Sequence, residues 1–171
     1  MKTIAWLIQR ITLYMYMLSG FFLIMMMIVT LASVASRFVF KTTEAAIDFT
    51  FLGGIELIKF SLLFMVLFSL PYCVSRSQVI VDLFTEKMKG STKTLLEAFY
   101  TFGFSLLGTG MCIRFYEAIG SARDSGETTQ DLMIPLSYIY TGTAFATGML
   151  AISALLITVQ LIRAANRGTL A

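Results

Sequence analysis

The sequence predicts an all-α integral membrane protein in which four transmembrane helices cross the bilayer. Of its 171 residues, 57% are hydrophobic and only 13% are charged, whereas a soluble domain averages about 45–50% apolar and about 25% charged residues. The apolar residues are concentrated in long stretches that lack charge. We expect the whole chain, residues 1–171, to form a single membrane domain, because four spans of about 20 residues leave no room for a large domain outside the bilayer.

The four spans differ in length and in charge. The first contains 26 consecutive uncharged residues and the fourth contains 31, so each is long enough to cross about 30 Å of hydrocarbon with a tilt. The length of the first stretch, and Arg37 after it, favour a retained helix over a cleaved signal peptide. The second span carries Glu56 and Lys59 in its first two turns. The predicted spans cover residues 11–38, 52–74, 95–116 and 132–162.

The distribution of lysine and arginine predicts the topology. Eight basic residues precede the first span, lie between the second and third, or follow the fourth, and four lie on the other side. Segments rich in basic residues stay in the cytoplasm. Both termini and the middle loop are therefore expected to be cytoplasmic.

The middle loop contains a short segment with helical amphipathicity. In residues 79–89, Ile80, Leu83 and Phe84 recur at helical spacing, and charged residues including Asp82 occupy the other face. This pattern predicts an interfacial helix that lies on the cytoplasmic surface of the membrane. A solvated loop with chance periodicity is the alternative.

Charged residues at membrane depth are the first candidates for function, because each is unfavourable there unless it is paired or hydrated. Glu56 and Lys59 are three residues apart and share a helix face. Arg37 ends the first span on the same side of the membrane. Glu56 is therefore either a coupling carboxylate for proton or cation transport, or half of a structural ion pair with Lys59 or Arg37; its shallow position favours the second. Arg114 and Glu117 have the same spacing and are expected to form a surface ion pair.

The residues that are missing exclude several kinds of protein. With no histidine and only two cysteines, the chain lacks the usual axial ligands of haem and the usual zinc ligands. No nucleophile–base pair, phosphate-binding glycine loop or basic nucleic-acid stripe is present. We therefore expect no enzyme activity, cofactor, metal site or nucleic-acid partner. A haem-free membrane anchor for a redox enzyme is a minor alternative.

Small residues in the fourth span indicate close helix packing. Gly142 and Ala146, and likewise Ala144 and Gly148, are four residues apart, a spacing that lets two helix backbones approach each other. The partner helix can belong to this chain or to another. Pro135 is expected in the first turn of this span, where its missing N–H is tolerated.

Four short elements, in the same order along the chain, resemble those of TRAP transporter small permease subunits of the DctQ type. At the end of the first span, Arg37-Phe38-Val39-Phe40 is similar to Arg-Tyr-x-Phe. Glu56 corresponds to an acidic residue that opens the second span. After that span come Arg76 and Val81-Asp82, with Gln78 where the family usually has histidine. Before the last span come Thr128, Thr129, Leu132, Ile134-Pro135 and Tyr138.

The resemblance implies a subunit of a tripartite ATP-independent periplasmic (TRAP) transporter in the bacterial inner membrane. In such a system a periplasmic substrate-binding protein captures an organic acid anion, such as sialic acid or a C4-dicarboxylate, and a large permease subunit moves it with sodium. The small subunit would act as a scaffold for the large one among the membrane lipids, and its long, tilted first and fourth spans would widen that scaffold. The candidates for structural or interface roles are Arg37, Glu56, Lys59, Arg76, Asp82 and Pro135.

A stand-alone exporter is the alternative. It would act as a homodimer, with Glu56 as the proton-coupling carboxylate. Replacing Glu56 with glutamine would abolish transport in the exporter but only weaken assembly in the scaffold.

Overall fold

The computed structural model describes residues 2–42, 53–76 and 90–168. Within these ranges the regular elements are four α-helices: α1 (Lys2–Thr42), α2 (Gly54–Arg76), α3 (Gly90–Ser125) and α4 (Leu136–Gly168). Each contains a stretch long and apolar enough to cross a membrane, which confirms the predicted all-α fold with four spans. The proposed interfacial helix at 79–89, including Asp82, lies outside the described residues and stays a prediction.

The two longest helices are much longer than the bilayer is thick. α1 has 41 residues and α3 has 36, which correspond to about 60 Å and about 54 Å at 1.5 Å per residue. The third span was predicted to end near residue 116, but α3 continues to Ser125. A helix that leaves the hydrocarbon can carry charges on its exposed surface, and Arg114 Nη1 lies 3.6 Å from Glu117 Oε2 there. This exposed pair matches the prediction and is worth at most about 1 kcal/mol.

The helices pack in the order α1, α2, α4, α3. The most extensive contact joins α3 to α4, followed by α1 with α2 and then α2 with α4, and α1 touches α4 only slightly. α4 is therefore a central helix, with Ala146, Thr147 and Ala154 fully buried. Its small residues let α2 and α3 pack against it, which leaves α1 and α3 as the outer helices of the described part of the chain. The expectation that the first and fourth spans widen the scaffold stays a prediction.

One face of α4 packs closely on α3. The Cys112 thiol on α3 donates to the carbonyl oxygen of Ala144 at 3.5 Å, and a Cβ added at Gly148 would lie 3.4 Å from the same sulfur. The Ser105 hydroxyl donates to the carbonyl oxygen of Ala151 at 3.2 Å. Side chains larger than these would hold the two backbones apart. One partner predicted for the small residues is therefore α3 of the same chain.

The other face of α4 packs on α2. A Cβ added at Gly142 would lie 2.7 Å from Cε1 of Phe64, so the ring sits directly on the glycine. Ala146, Leu67 and Phe68 form the adjoining buried cluster. α2 is thus the second partner of the small residues, again within this chain.

Aromatic residues attach the first half of α1 to α2. The ring centroids of Tyr16 and Tyr72 are 4.7 Å apart, and those of Phe22 and Phe64 are 5.4 Å apart; such pairs contribute about 0.5–1.5 kcal/mol each beyond their buried area. From residue 23 to residue 42, no side chain of α1 is buried. The second half of α1 is therefore left without close packing by the described part of the chain.

Candidate functional site

The connection between α3 and α4 is an ordered loop, residues 126–135. The amide of Thr129 donates to the carbonyl oxygen of Ile134 at 2.9 Å, and the amide of Leu136 donates to that of Glu127 at 3.0 Å. The amide of Ile134 also donates to the Thr129 hydroxyl oxygen at 3.1 Å. These bonds tie the two ends of the loop together in the manner of a short hairpin.

Two residues of this loop have left-handed backbone conformations. Gly126, just after α3, has a φ of 65°, and Met133 has a φ of 54°. Glycine adopts such angles freely, but a residue with a Cβ does so at a cost of about 1–2 kcal/mol. The strained angle at Met133 therefore needs support from interactions elsewhere in the loop.

Glu56 supplies that support from the first turn of α2. Its Oε1 accepts a hydrogen bond from the amide of Gln130 at 3.1 Å, and its Oε2 accepts from the amides of Asp131 and Leu132 at 3.1 Å and 2.8 Å. Successive backbone N–H groups that converge in this way form an anion-binding concavity. Hydrogen bonds to an ionised carboxylate are stronger than those between neutral groups. A negative charge in the first turn also interacts favourably with the helix dipole.

Leu132 completes the contact between the loop and α2. A Cβ added at Gly53 would lie 2.6 Å from Cδ2 of Leu132, so the leucine side chain lies directly against the glycine that precedes the helix. Gly53 is buried, and its carbonyl oxygen accepts the amide of Leu57 at 3.0 Å. Polar and apolar contacts therefore fix the loop on the same end of α2.

The structure brings together Glu56 and the Thr…Leu-x-Ile-Pro element but not the ion pairs predicted for Glu56. Lys59 and Arg37 are both exposed, and neither forms an ion pair with Glu56 in the described part of the chain. Both of these partners, which the sequence analysis considered, are therefore wrong. The reason is that the loop amides occupy both carboxylate oxygens.

Pro135 and Arg76 lie at different places in relation to this site. Pro135 belongs to the loop and precedes α4, which begins at Leu136, four residues later than the predicted span. The positive φ of Met133 excludes this residue from the helix, so the helix cannot begin at residue 132 as predicted. The Pro135 carbonyl oxygen accepts the amide of Tyr138 at 3.1 Å. Arg76 is the last residue of α2, at the opposite end from Glu56.

Sequence reasoning missed the role of the three amide donors and the contact of Gly53 with Leu132. Backbone amides are present at every position except proline, so no side-chain pattern reveals them. The uncharged run from residue 132 also hid the loop, because it continues directly into the apolar sequence of α4. The available signal was that two elements of the resemblance, Glu56 and the Thr…Pro element, lie on the same side of the membrane.

Substitutions at Met133 test the strained loop. Met133→Gly keeps the backbone angle but removes the Cβ that makes it unfavourable, and we expect it to raise the melting temperature by about 2–4 °C, the change typical of about 1 kcal/mol in a chain of this size. Met133→Ile places a β-branched side chain at the same angle and should lower the melting temperature by a similar amount. Since Met133 is 72% exposed, neither change removes much packing. Thermal unfolding in mild detergent measures both, and shifts of the same sign would contradict the strain.

The fold and this site define a multi-pass α-helical membrane protein in which a carboxylate in the first turn of one helix accepts hydrogen bonds from the backbone of a loop. A family model described as tripartite ATP-independent periplasmic transporters, DctQ component, matches residues 26–166. The chain belongs to this family and is a small membrane component of a TRAP transporter in the bacterial inner membrane. The matched region includes Glu56 and the whole 126–135 loop. No curated protein and no solved structure matches the chain.

Proposed function

We propose that the chain is a scaffold that holds a large permease subunit in the membrane during sodium-coupled uptake of an organic acid anion. The family supplies the class of transporter, and the observation that carries the scaffold role is the unpacked half of α1. In the described part of the chain, 6% of the apolar membrane-spanning stretch of α1 is buried, compared with 33% of that of α4. A long helix with so little internal packing has a surface available for a second membrane protein.

The exposed surface of α1 is apolar and continuous. Leu31, Val34 and Phe38 are three and four residues apart, so they share a face, and each is more than 60% exposed. These three residues lie in the half of α1 beyond the aromatic contacts with α2. Because the face is apolar, it can contact either lipid or the apolar surface of a permease. We assign it to the permease.

The proposed topology places both termini and the 79–89 segment in the cytoplasm, in one membrane domain of residues 1–171. The 126–135 loop would then face the periplasm, where a substrate-binding protein delivers the anion. Sialic acid and C4-dicarboxylates are the proposed substrate classes. Selection between them would belong to the binding protein and the permease.

The hydrogen bonds that Glu56 accepts favour the scaffold over the exporter. A coupling carboxylate must gain and lose a proton along a transport path. Glu56 instead has both oxygens hydrogen-bonded to three backbone amides, and protonation would remove an acceptor from that set.

The test is a pull-down of the tagged chain from its native membranes in mild detergent, with partners identified by mass spectrometry. We expect a roughly stoichiometric large polytopic permease, because the scaffold role requires a stable contact. Recovery of the chain alone, as a dimer, would support the exporter instead.

A matched pair of variants locates the contact. Val34→Trp on α1 changes the shape of the proposed face but keeps it apolar, so it should reduce permease recovery at unchanged expression. Leu106→Trp on the other outer helix, α3, alters a residue of similar exposure (68% against 62%) and should leave recovery unchanged. Equal losses from both variants would contradict the assignment to α1.

A further inference from the structure

A small cavity, lined by both apolar and polar side chains, lies where α1, α2 and α4 meet, near the ends of the helices that carry both termini. Its volume is about 30 Å³, and its walls include Pro71 from α2. The polar side chains that line it are Gln9, Thr12, Ser153 and Gln160. The site is separate from Glu56, which lies at the other end of α2.

Ser153 is the unusual member of this group. Its side chain is 4% exposed, and its hydroxyl oxygen has no hydrogen-bond partner in the described part of the chain. The buried threonines of α4 behave differently: Thr143, Thr147 and Thr158 each donate to the carbonyl oxygen four residues earlier. Buried hydroxyl groups without any partner are rare, because ordered water commonly hydrogen-bonds to those that no protein group reaches.

The two other helices contribute further hydrogen-bonding capacity. The Thr12 hydroxyl donates to the carbonyl oxygen of Gln9 at 3.0 Å, so its lone pairs remain available as acceptors. Pro71 lies inside α2 and is fully buried. Because proline has no N–H, the carbonyl of Leu67 lacks its usual helical donor, and ordered water is one way in which membrane helices satisfy such a group.

We propose that a bound water occupies this cavity and joins α4 to α1. The Ser153 hydroxyl donates to the water, and the water donates to the hydroxyl oxygen of Thr12. The volume suits one or two water molecules, since a site for one needs about 10–15 Å³ of this kind of volume. The lining side chains are neutral hydroxyls and amides together with apolar groups, with no carboxylate to compensate a metal cation. Water is therefore the ligand that fits both the size and the chemistry.

Water-edited solid-state NMR of the full chain in lipid bilayers tests this site. Magnetisation from water should reach the Cβ of Ser153 faster than the Cβ of Ser105, which is equally buried at 4% but donates to a carbonyl oxygen on the neighbouring helix. Equally slow transfer at both residues would overturn the proposal. It would mean that the Ser153 hydroxyl rotates to donate to a carbonyl of its own helix.

Ser153→Ala tests whether the same water reaches α1. The variant should lose the fast transfer at Thr12, because the water loses its donor on α4, whereas Ser105→Ala should preserve it. Unchanged signals elsewhere in the spectrum show that each variant is folded. Fast transfer at Thr12 that survives Ser153→Ala would overturn the bridge between the helices.

Discussion

Replacing Gly108 with leucine is expected to separate α3 from α4 and to destabilise the folded chain strongly. A Cβ at this position would lie 2.9 Å from the backbone nitrogen of Ala151 and 3.2 Å from the carbonyl oxygen of Thr147. Backbone atoms in the middle of a helix cannot move aside individually, so the whole helix pair must separate. Overpacking typically costs about 1–3 kcal/mol and sometimes more, a large part of the roughly 5–15 kcal/mol that stabilises a folded protein.

Gly110→Leu is the control for this experiment. It lies on the same helix, two residues away, and a Cβ there meets nothing within 4 Å. The two variants are equal in hydrophobicity and in helix propensity, so only the contact with α4 distinguishes them. Size-exclusion chromatography in mild detergent and thermal unfolding should show a loss for Gly108→Leu and none for Gly110→Leu. Similar behaviour of the two would contradict the α3–α4 packing.

The small residues of α4 show which part of the helix packing could be predicted from the sequence. Their spacing predicted close packing of the fourth span, and Gly142 and Gly148 do lie in close contacts. The same spacing could not name the partner, because a glycine accepts any helix that approaches it. Two partners on two faces, α2 and α3, follow from the tertiary arrangement of three helices. The periodicity of one helix does not contain that information.

For a related reason, the sequence did not predict which helices are central and which are peripheral. Length and hydropathy located all four spans, since both are properties of a single segment. They do not distinguish a helix that is central from one that faces lipid, because both are apolar all round in a membrane. α4 is central and its membrane-spanning stretch has a mean hydropathy of 2.0, whereas α1 is peripheral and its stretch has a mean hydropathy of 2.3. The difference lies in side-chain size: α4 is richer in alanine and glycine, whereas α1 is richer in phenylalanine and methionine.

The sequence identified Glu56 as a candidate site residue but did not predict which groups it contacts. Its unfavourable position in the membrane singled it out, and the search for a compensating charge then led to Lys59 and Arg37. Three backbone amides compensate it instead. A carboxylate near the start of a span is thus explained by a loop from elsewhere in the chain, and a search among charged side chains does not find it.

Glu56→Gln is expected to release the 126–135 loop from α2. Glutamine keeps one acceptor oxygen but turns an NH₂ group toward backbone N–H donors, so at least one amide loses its partner and the charge that strengthened the others is gone. In proteoliposomes, a glutamyl endopeptidase added on the side of the loop should cleave after Glu127 on the order of ten times faster, because cleavage follows the population of the open loop. Mass spectrometry of the fragments identifies the site of cleavage.

Glu117→Gln is the matched control. It also removes a carboxylate from the same side of the membrane, but its partner is the exposed Arg114 on its own helix, so cleavage after Glu127 should not change. An unchanged rate in Glu56→Gln would contradict the structural role of this carboxylate.

Glu56→Gln also distinguishes a scaffold from an exporter. If the chain is a scaffold, Glu56→Gln should reduce anion uptake only as far as it reduces the amount of assembled complex, and overexpression of both subunits should restore uptake. If the chain is an exporter that couples through Glu56, transport should be lost even when the amount of folded protein is unchanged. The ratio of transport to assembled complex therefore distinguishes a residue that holds the loop from one that carries the proton.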